Sequence, residues 1–323
     1  MNKMNRRNAA ALILVCLAAG NVLADASFPQ GQVRIIVPFP PGGPTDILAR
    51  LLAAKLQQKW GQTVVLEYKP GAGTVIGVDA VAKAAPDGLT LGMVNTSVAI
   101  NPSLKKKLPY DTLRDIVGVT QLASLELALV ARTDVPFNNV KEMLEYARRN
   151  PGKLSYATAG AGSTPHLGAE LLKQETKIDM LHVPMKGSAP AYTELMGGRI
   201  DMLIDPLFAV LPYVQSGKMK MLGTLGEKRV HGHEDFPTVG ETVKGFSVGA
   251  MLGLIAPART PPALLNSIQK DVASILSEPG VRDRFAEQGM IVVASTPGQF
   301  EAFMESEMKR WQRVIAEAHI EEE

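Results

Sequence analysis

Val33-Arg34-Ile35-Ile36-Val37-Pro38-Phe39-Pro40-Pro41-Gly42-Gly43-Pro44-Thr45-Asp46 leads into a helical pattern over residues 47–60. Ile35, Ile36 and Val37 form a continuous apolar run, which is how a strand covered on both faces reads. Four prolines and two glycines then exclude both helix and strand. Thr45 or Asp46 can cap the helix, and Ile47, Leu48, Leu51, Leu52 and Leu56 recur at helical spacing. A helix that begins at the carboxyl end of a strand aims unpaired N–H groups above the sheet. That is an anion site in principle.

The same plan repeats outward. Residues 63–68 read as a second strand, Lys69-Pro70-Gly71-Ala72-Gly73-Thr74 as a turn and 75–84 as a helix. After the turn Pro86-Asp87-Gly88, residues 89–95 read as a third strand, which Thr96 and Ser97 end at a loop. This spacing predicts a parallel sheet with covering helices. The strand-rich segment 117–131 can cross to another lobe. A second series then begins. Asn139 with Glu142 marks the start of a helix to Arg149; 154–158 is a strand, 159–165 a loop, 166–175 a helix. Strands at 178–183, 202–204 and 219–222 and helices at 189–196 and 208–216 continue it. Residues 246–256 return the chain to the first lobe. Helices over 262–276 and 281–288 precede a last one, opened by Thr296, Pro297 and Gln299. Its apolar stripe, from Phe300 through Trp311 to Ala318, reads as packing surface. The acidic 321–323 end is expected to fray.

Residues 1–24 read as a secretory leader: Lys3, Arg6 and Arg7, an apolar run over 9–19, and Val22-Leu23-Ala24 as a cleavage site. The single cysteine, Cys16, lies inside it, so the mature chain would lack disulfides, thiol catalysis and cysteine-bound metal. Loss of the leader takes the formal charge from +2 to about −1, which leaves no basic field for nucleic acid. An apolar share of 46 % fills more than one core. The expected organisation is a first lobe of residues 27–125 plus 246–323 and a second lobe of 126–245.

Two loops share one construction. Residues 39–46 and 159–166 each come after a strand, combine Gly with Pro, Thr or Ser, and enter a helix. Ligands of open α/β sheets sit beyond the carboxyl ends of strands, so facing lobes would aim both helix N-termini at one cleft. Neither loop holds Lys or Arg. An anion there would be held by backbone N–H groups and the hydroxyls of Thr45, Thr158, Ser163 and Thr164, which suits a carboxylate better than a phosphate. Each such bond contributes ~1.5–3 kcal/mol, against about 8 kcal/mol for micromolar binding. Read alone, either loop is equally a tight β–α turn. The candidate ligand contacts are Phe39, Pro40, Gly42, Gly43, Thr45 and Asp46; Ser97; Thr158, Ala159, Gly160, Gly162, Ser163, Thr164 and His166; and Asp205 at a strand end. Asp46 either receives a polar group or caps its helix, and His166 either donates into the cleft or caps its loop.

Other signals are weaker. Gly71-Ala72-Gly73 with Gly77 has the wrong spacing for a dinucleotide fingerprint, and Pro165 spoils Gly160-Ala161-Gly162; no cofactor is expected. Gly245-Phe246-Ser247-Val248-Gly249 matches the nucleophile-elbow pattern, with Asp271 or Asp283 and then His319 downstream. A strand-like run succeeds it where a helix is required, so a Ser247 hydrolase is the lesser reading. His231 and His233 lack a third metal ligand. Lys186 is a cation near the expected cleft edge, with a surface salt bridge as its plainer role.

Over nearly the whole mature chain the sequence resembles the Bug-type solute receptors of tripartite tricarboxylate transporters. The matching stretches are Pro38 to Asp46; Pro70-Gly71-Ala72-Gly73; Ala82-Lys83-Ala84-Ala85-Pro86-Asp87-Gly88; Leu108-Pro109-Tyr110-Asp111; Gly160, Gly162 and Pro165-His166-Leu167; Lys186-Gly187; Gly198-Arg199-Ile200-Asp201; and Ala256-Pro257 with Thr260-Pro261. The resemblance implies an α/β type II periplasmic binding protein, two Rossmann-like lobes closing on a ligand in the cleft between them. It implies a non-enzymatic, monomeric periplasmic receptor whose two loops clamp a small organic carboxylate through main-chain donors and ordered waters. Its partners would be membrane permease subunits or, alternatively, a membrane sensor. Ala161, Met185 and Met251-Leu252 depart from the family's usual polar and aromatic residues, which implies a more apolar cleft.

Overall fold

The computed structural model describes residues 28–320 except Pro40, Gly42, Gly43, Ala159, Lys186, Gln288 and the side chain of Pro44. The expected leader with Cys16, the candidate contacts Pro40, Gly42, Gly43 and Ala159, the cation Lys186 and the 321–323 end lie outside the described residues.

The opening stretch forms β1 (Val33–Val37) and α1 (Pro44–Trp60), then β2 (Val64–Tyr68), α2 (Val75–Ala82), β3 (Thr90–Asn95) and α3 (Ser97–Leu104). A 16-residue strand, β4 (Ile116–Ala131), leads to α4 (Val140–Arg149), β5 (Leu154–Thr158), α5 (Thr164–Thr176), β6 (Met180–Pro184) and α6 (Ser188–Met196). Then come β7 (Met202–Pro206), α7 (Leu207–Gln215) and β8 (Lys220–Thr224). The chain closes with β9 (Gly249–Pro257), α8 (Pro262–Leu276), α9 (Pro279–Glu287), β10 (Met290–Val292) and α10 (Pro297–Glu317). Short helices over Thr112–Asp115 and Val239–Thr242 are unexpected, and two further elements differ from expectation. Thr96 and Ser97 open a helix rather than a loop: β-branched Val98 and Pro102 mask it in sequence, and burial of Val98, Ala99 and Ile100 holds it. The three-residue β10 is too short to read as a strand.

The sheet runs β2-β1-β3-β9-β4-β7-β5-β6, with β10 and β8 also on β4. Its first half is β1 parallel to β2 and β3, with β9 antiparallel to β3 and to β4. Its second half is β5 parallel to β6 and β7, with β7 and β8 antiparallel to β4. These directions decide where a site can form. Two antiparallel steps make β4 run the same way as β1 and β3, so it leaves the first half-sheet at their carboxyl edge. Leu127 then pairs with Pro206 at the end of β7, so β4 enters the second half-sheet at the carboxyl edge of β7 and β5. Both carboxyl edges therefore face one another across residues 125–127. Register shifts between Gly118 and Thr120 and between Gln121 and Ala123 add twist to the first half of β4.

The capping box expected at α10 forms, the Thr296 hydroxyl accepting from Gln299 N and the Gln299 side chain from Thr296 N; at α4 only half of one forms, Asn139 Oδ1 accepting from Glu142 N at 2.9 Å while the Glu142 carboxylate accepts from Asn138 N. The stripe of α10 serves two cores. Phe300 and Met304 pack with Val98 and Ile255, whereas Trp311, Val314 and Ile315 pack with Leu167 and Leu171. Trp311 is fully buried, and truncating such a side chain costs ~3–5 kcal/mol.

Candidate functional site

In the first half-sheet, the register of β1 with β2 places Tyr68 opposite Val37, beside the loop that leaves β1. The Tyr68 hydroxyl donates to Asp46 Oδ1 at 2.5 Å, and Arg50 Nε donates to Oδ2 at 3.1 Å. Arg50 also lies over the Tyr68 ring, 5.5 Å from its centroid. Asp46 is buried in the first turn of α1, where a negative charge is favoured. Its carboxylate faces inward to Tyr68 and Arg50. Desolvation and the bond to Asp46 push the Tyr68 phenol above its ordinary range. Phe39 packs on the core beneath α1, and Thr45 is half-buried. Because β3 neighbours β1, Ser97 at the start of α3 emerges at the same edge; its N–H donates to Asn95 Oδ1 at 3.1 Å.

In the second half-sheet, β5 ends at Thr158, and Ser163 caps α5 by accepting from His166 N. Thr158 and Ser163 both turn their hydroxyls to the Gly160 carbonyl, at 3.1 and 2.7 Å. The loop therefore spends these two hydroxyls on its own shape, and residues 160–165 stay half-buried above them. Gly162 adopts φ +68°, and a Cβ placed on it would lie 2.7 Å from Leu104 Cδ2. The second loop thus rests directly on α3, and the two halves touch there. His166 Nδ1 accepts from Gly162 N at 3.0 Å, and its ring stacks on His182 at 3.8 Å. Burial first, then His166 and Lys173, lowers His182 to about 3, so it is neutral.

Asp205, almost fully buried at the end of β7, accepts from the Tyr192 hydroxyl at 2.5 Å and bonds Ser188 at the start of α6. Burial raises its carboxyl above the ordinary range. The directions of the strands thus place the described parts of both loops, Ser97 and Asp205 on carboxyl edges that face one another, with both acids engaged by tyrosine hydroxyls. Sequence reasoning missed Tyr68 and His182, whose signal is strand register rather than motif, and Tyr192, which the packing of α6 brings to Asp205.

The remaining chemistry lies elsewhere. Ser247 precedes β9 with no helix after it, and its carbonyl accepts from Arg310. His231 meets Glu234 at 3.1 Å on an exposed turn, His233 stacks on Phe236, and among the described residues no three His, Cys, Asp or Glu converge on a metal position. A recess of about 500 Å³ walled by Gln121, Ser124, Glu126, Phe303, Glu307 and Arg310 contains none of the candidate contacts. Within it Glu126, near the midpoint of β4, has one oxygen bonded by Gly226 N–H and the other buried without a described partner; burial raises its carboxyl.

A family model, the tripartite tricarboxylate transporter family receptor, matches residues 48–320. The chain belongs to this receptor family. The receptor is 34 % identical to BugT of Bordetella pertussis over 97 % of its own length and 98 % of that protein. Among solved structures, the periplasmic binding protein BugD is similar at 33 % identity and TM-score 0.72, covering 92 % of this chain and 100 % of that one. MatC of Rhodopseudomonas palustris with bound malate is similar at 32 % identity and TM-score 0.72, covering 89 % and 100 %. The fold is that of a two-lobed type II binding protein, and the receptor is a solute-binding protein rather than an enzyme.

Proposed function

We propose that this receptor captures a small organic carboxylate between residues 39–46 and 159–166, with the start of α3 as a third wall. It then delivers that acid to the membrane permease of a tripartite tricarboxylate-type transporter. The observation that carries this reading is the direction of β4, which turns the N-termini of α1 and α5 toward one gap. A helix N-terminus contributes ~0.3–1 kcal/mol to a bound anion, up to ~2 when partly buried. Backbone donors to a charged oxygen contribute ~1.5–3 kcal/mol each, so a handful reaches the about 8 kcal/mol of micromolar binding. Asp46 and Asp205, whose charge would oppose an anion, are turned to tyrosine hydroxyls. The malate in MatC supports an acid as the ligand class. Lobe 1 (27–125 with 246–323) and lobe 2 (126–245) close on the ligand, and the receptor works as a periplasmic monomer after loss of residues 1–24.

A thermal-shift titration with malate, adipate and their diamides tests the ligand class. The acids raise the melting temperature and the diamides leave it unchanged; diamides that stabilise as well as the acids overturn the reading. Gly43→Val removes the response to the acid while the fold persists. Retained affinity in that variant would remove the first loop from the site.

A further inference from the structure

Beneath the second loop lies a layer of aromatic and polar side chains from three elements. The ring of His182, on β6, is sandwiched between His166 (3.8 Å, 11°) and Tyr156 (4.9 Å, 26°). Tyr156, on β5, donates its hydroxyl to Glu170 Oε1 at 2.6 Å, and Lys173 donates to the same oxygen at 2.9 Å. Glu170 Oε1 also lies 4.0 Å from His166 Nε2. Two contacts connect this layer to the loop. His166 Nδ1 accepts the Gly162 N–H at 3.0 Å, and His182 Nε2 lies 2.8 Å from Thr158 Oγ1. Thr158 and Gly162 flank the loop's turn, and Gly162 is the residue that rests on Leu104 of the other half. The loop is therefore fixed at both ends by ring nitrogens of two stacked imidazoles. The two use different positions: the δ nitrogen of His166 and the ε nitrogen of His182.

We propose that His166 and His182 are positioning residues for the second loop, the first holding Gly162 through its δ nitrogen and the second holding Thr158 through its ε nitrogen, so that together they set the loop shape that receives the ligand. The inference rests on the assignment of residues 159–166 to the ligand site. His166 then acts from below the loop rather than by donating to the ligand. Ring nitrogens accept one hydrogen bond when neutral, and the bond from Gly162 N–H requires that form of His166.

The difference between δ and ε supplies the test. The Asn side chain places a polar atom where the δ nitrogen stood, and Gln places one where the ε nitrogen stood. His166→Asn and His182→Gln preserve the two loop contacts; His166→Gln and His182→Asn abolish them with the same two side chains. The first readout is hydrogen exchange of the Gly162 amide without ligand. It slows or stays protected in His166→Asn and accelerates at least tenfold in His166→Gln. The second is affinity for malate or adipate by calorimetry, which falls at least tenfold in His166→Gln and His182→Asn and less than threefold in the matched variants. Equal exchange and equal affinity between Asn and Gln at each position overturn the proposal, because a purely space-filling layer does not distinguish them. If the His166 variants fail to fold, the His182 pair decides by affinity on the same criterion. If the unmodified receptor binds neither acid, the functional reading fails, while the exchange of Gly162 still decides the positioning role.

Discussion

The two loops that follow β1 and β5 are held by different anchors. The first is tied down by a buried carboxylate, Asp46, held between a phenol and a guanidinium. The second is tied down by hydroxyls and stacked imidazoles, of which His182 is neutral. An anchor centred on one buried charge is strong but fails at once when that charge is removed, because all its hydrogen bonds are lost together. An anchor of several neutral contacts degrades by steps. The first loop should therefore break in stability, and the second in geometry.

The largest expected effect belongs to the first anchor. Asp46→Ala strands the Tyr68 hydroxyl and should cost ~2–4 kcal/mol in urea unfolding, discounted from a fully buried pair because Arg50 is exposed to solvent. A loss below about 0.5 kcal/mol would make the two anchors equivalent. Gly162→Ala comes next. It forces a side chain into a left-handed conformation costing ~1–2 kcal/mol and into Leu104. Carboxylate affinity should fall at least tenfold by calorimetry while the unfolding midpoint moves less than in Asp46→Ala. The reverse order would show that the second loop is structural first. Tyr68→Phe removes one bond to a charged acceptor and should cost about 1–2 kcal/mol by the same unfolding assay.

Much of this arrangement was legible in sequence. Pro38 to Pro44, with Thr296, Asn139 and their capping partners, located helix starts because their signals are local. The crossing by β4 was legible as a long strand-rich run. Which acid would face which tyrosine was not. Asp46 meets Tyr68 only because β1 and β2 pair in one register, and Asp205 meets Tyr192 only through the packing of α6 on β7. The hydroxyls of Thr158 and Ser163 looked like ligand donors from spacing, and the turn itself claims both. Helix α3 was hidden because its stability comes from burial rather than propensity.

The smallest expected effect lies on the crossing strand β4. Glu126 has a carboxyl raised by burial, so the folded receptor holds its proton to a higher pH than the unfolded chain does. Stability is then lost as pH rises from the unfolded value through the folded one, and the penalty is complete above the latter. Glu126→Gln should raise the melting temperature slightly at pH 7, with the difference vanishing as pH falls to about 4.5, the ordinary range of a glutamate. A lower melting temperature at pH 7 would mean that the charge is needed at this crossing.

Helix α10 has a consequence for how the molecule comes apart. Its first turns complete one core and its last turns another, although the second core is otherwise built from residues far earlier in the chain. The second core is therefore unfinished until α10 supplies Trp311, Val314 and Ile315. Loss of the last turns of α10 would strip Trp311, Val314 and Ile315 from a core whose other residues lie well upstream in the chain. Such wiring couples the stability of the two cores through one helix.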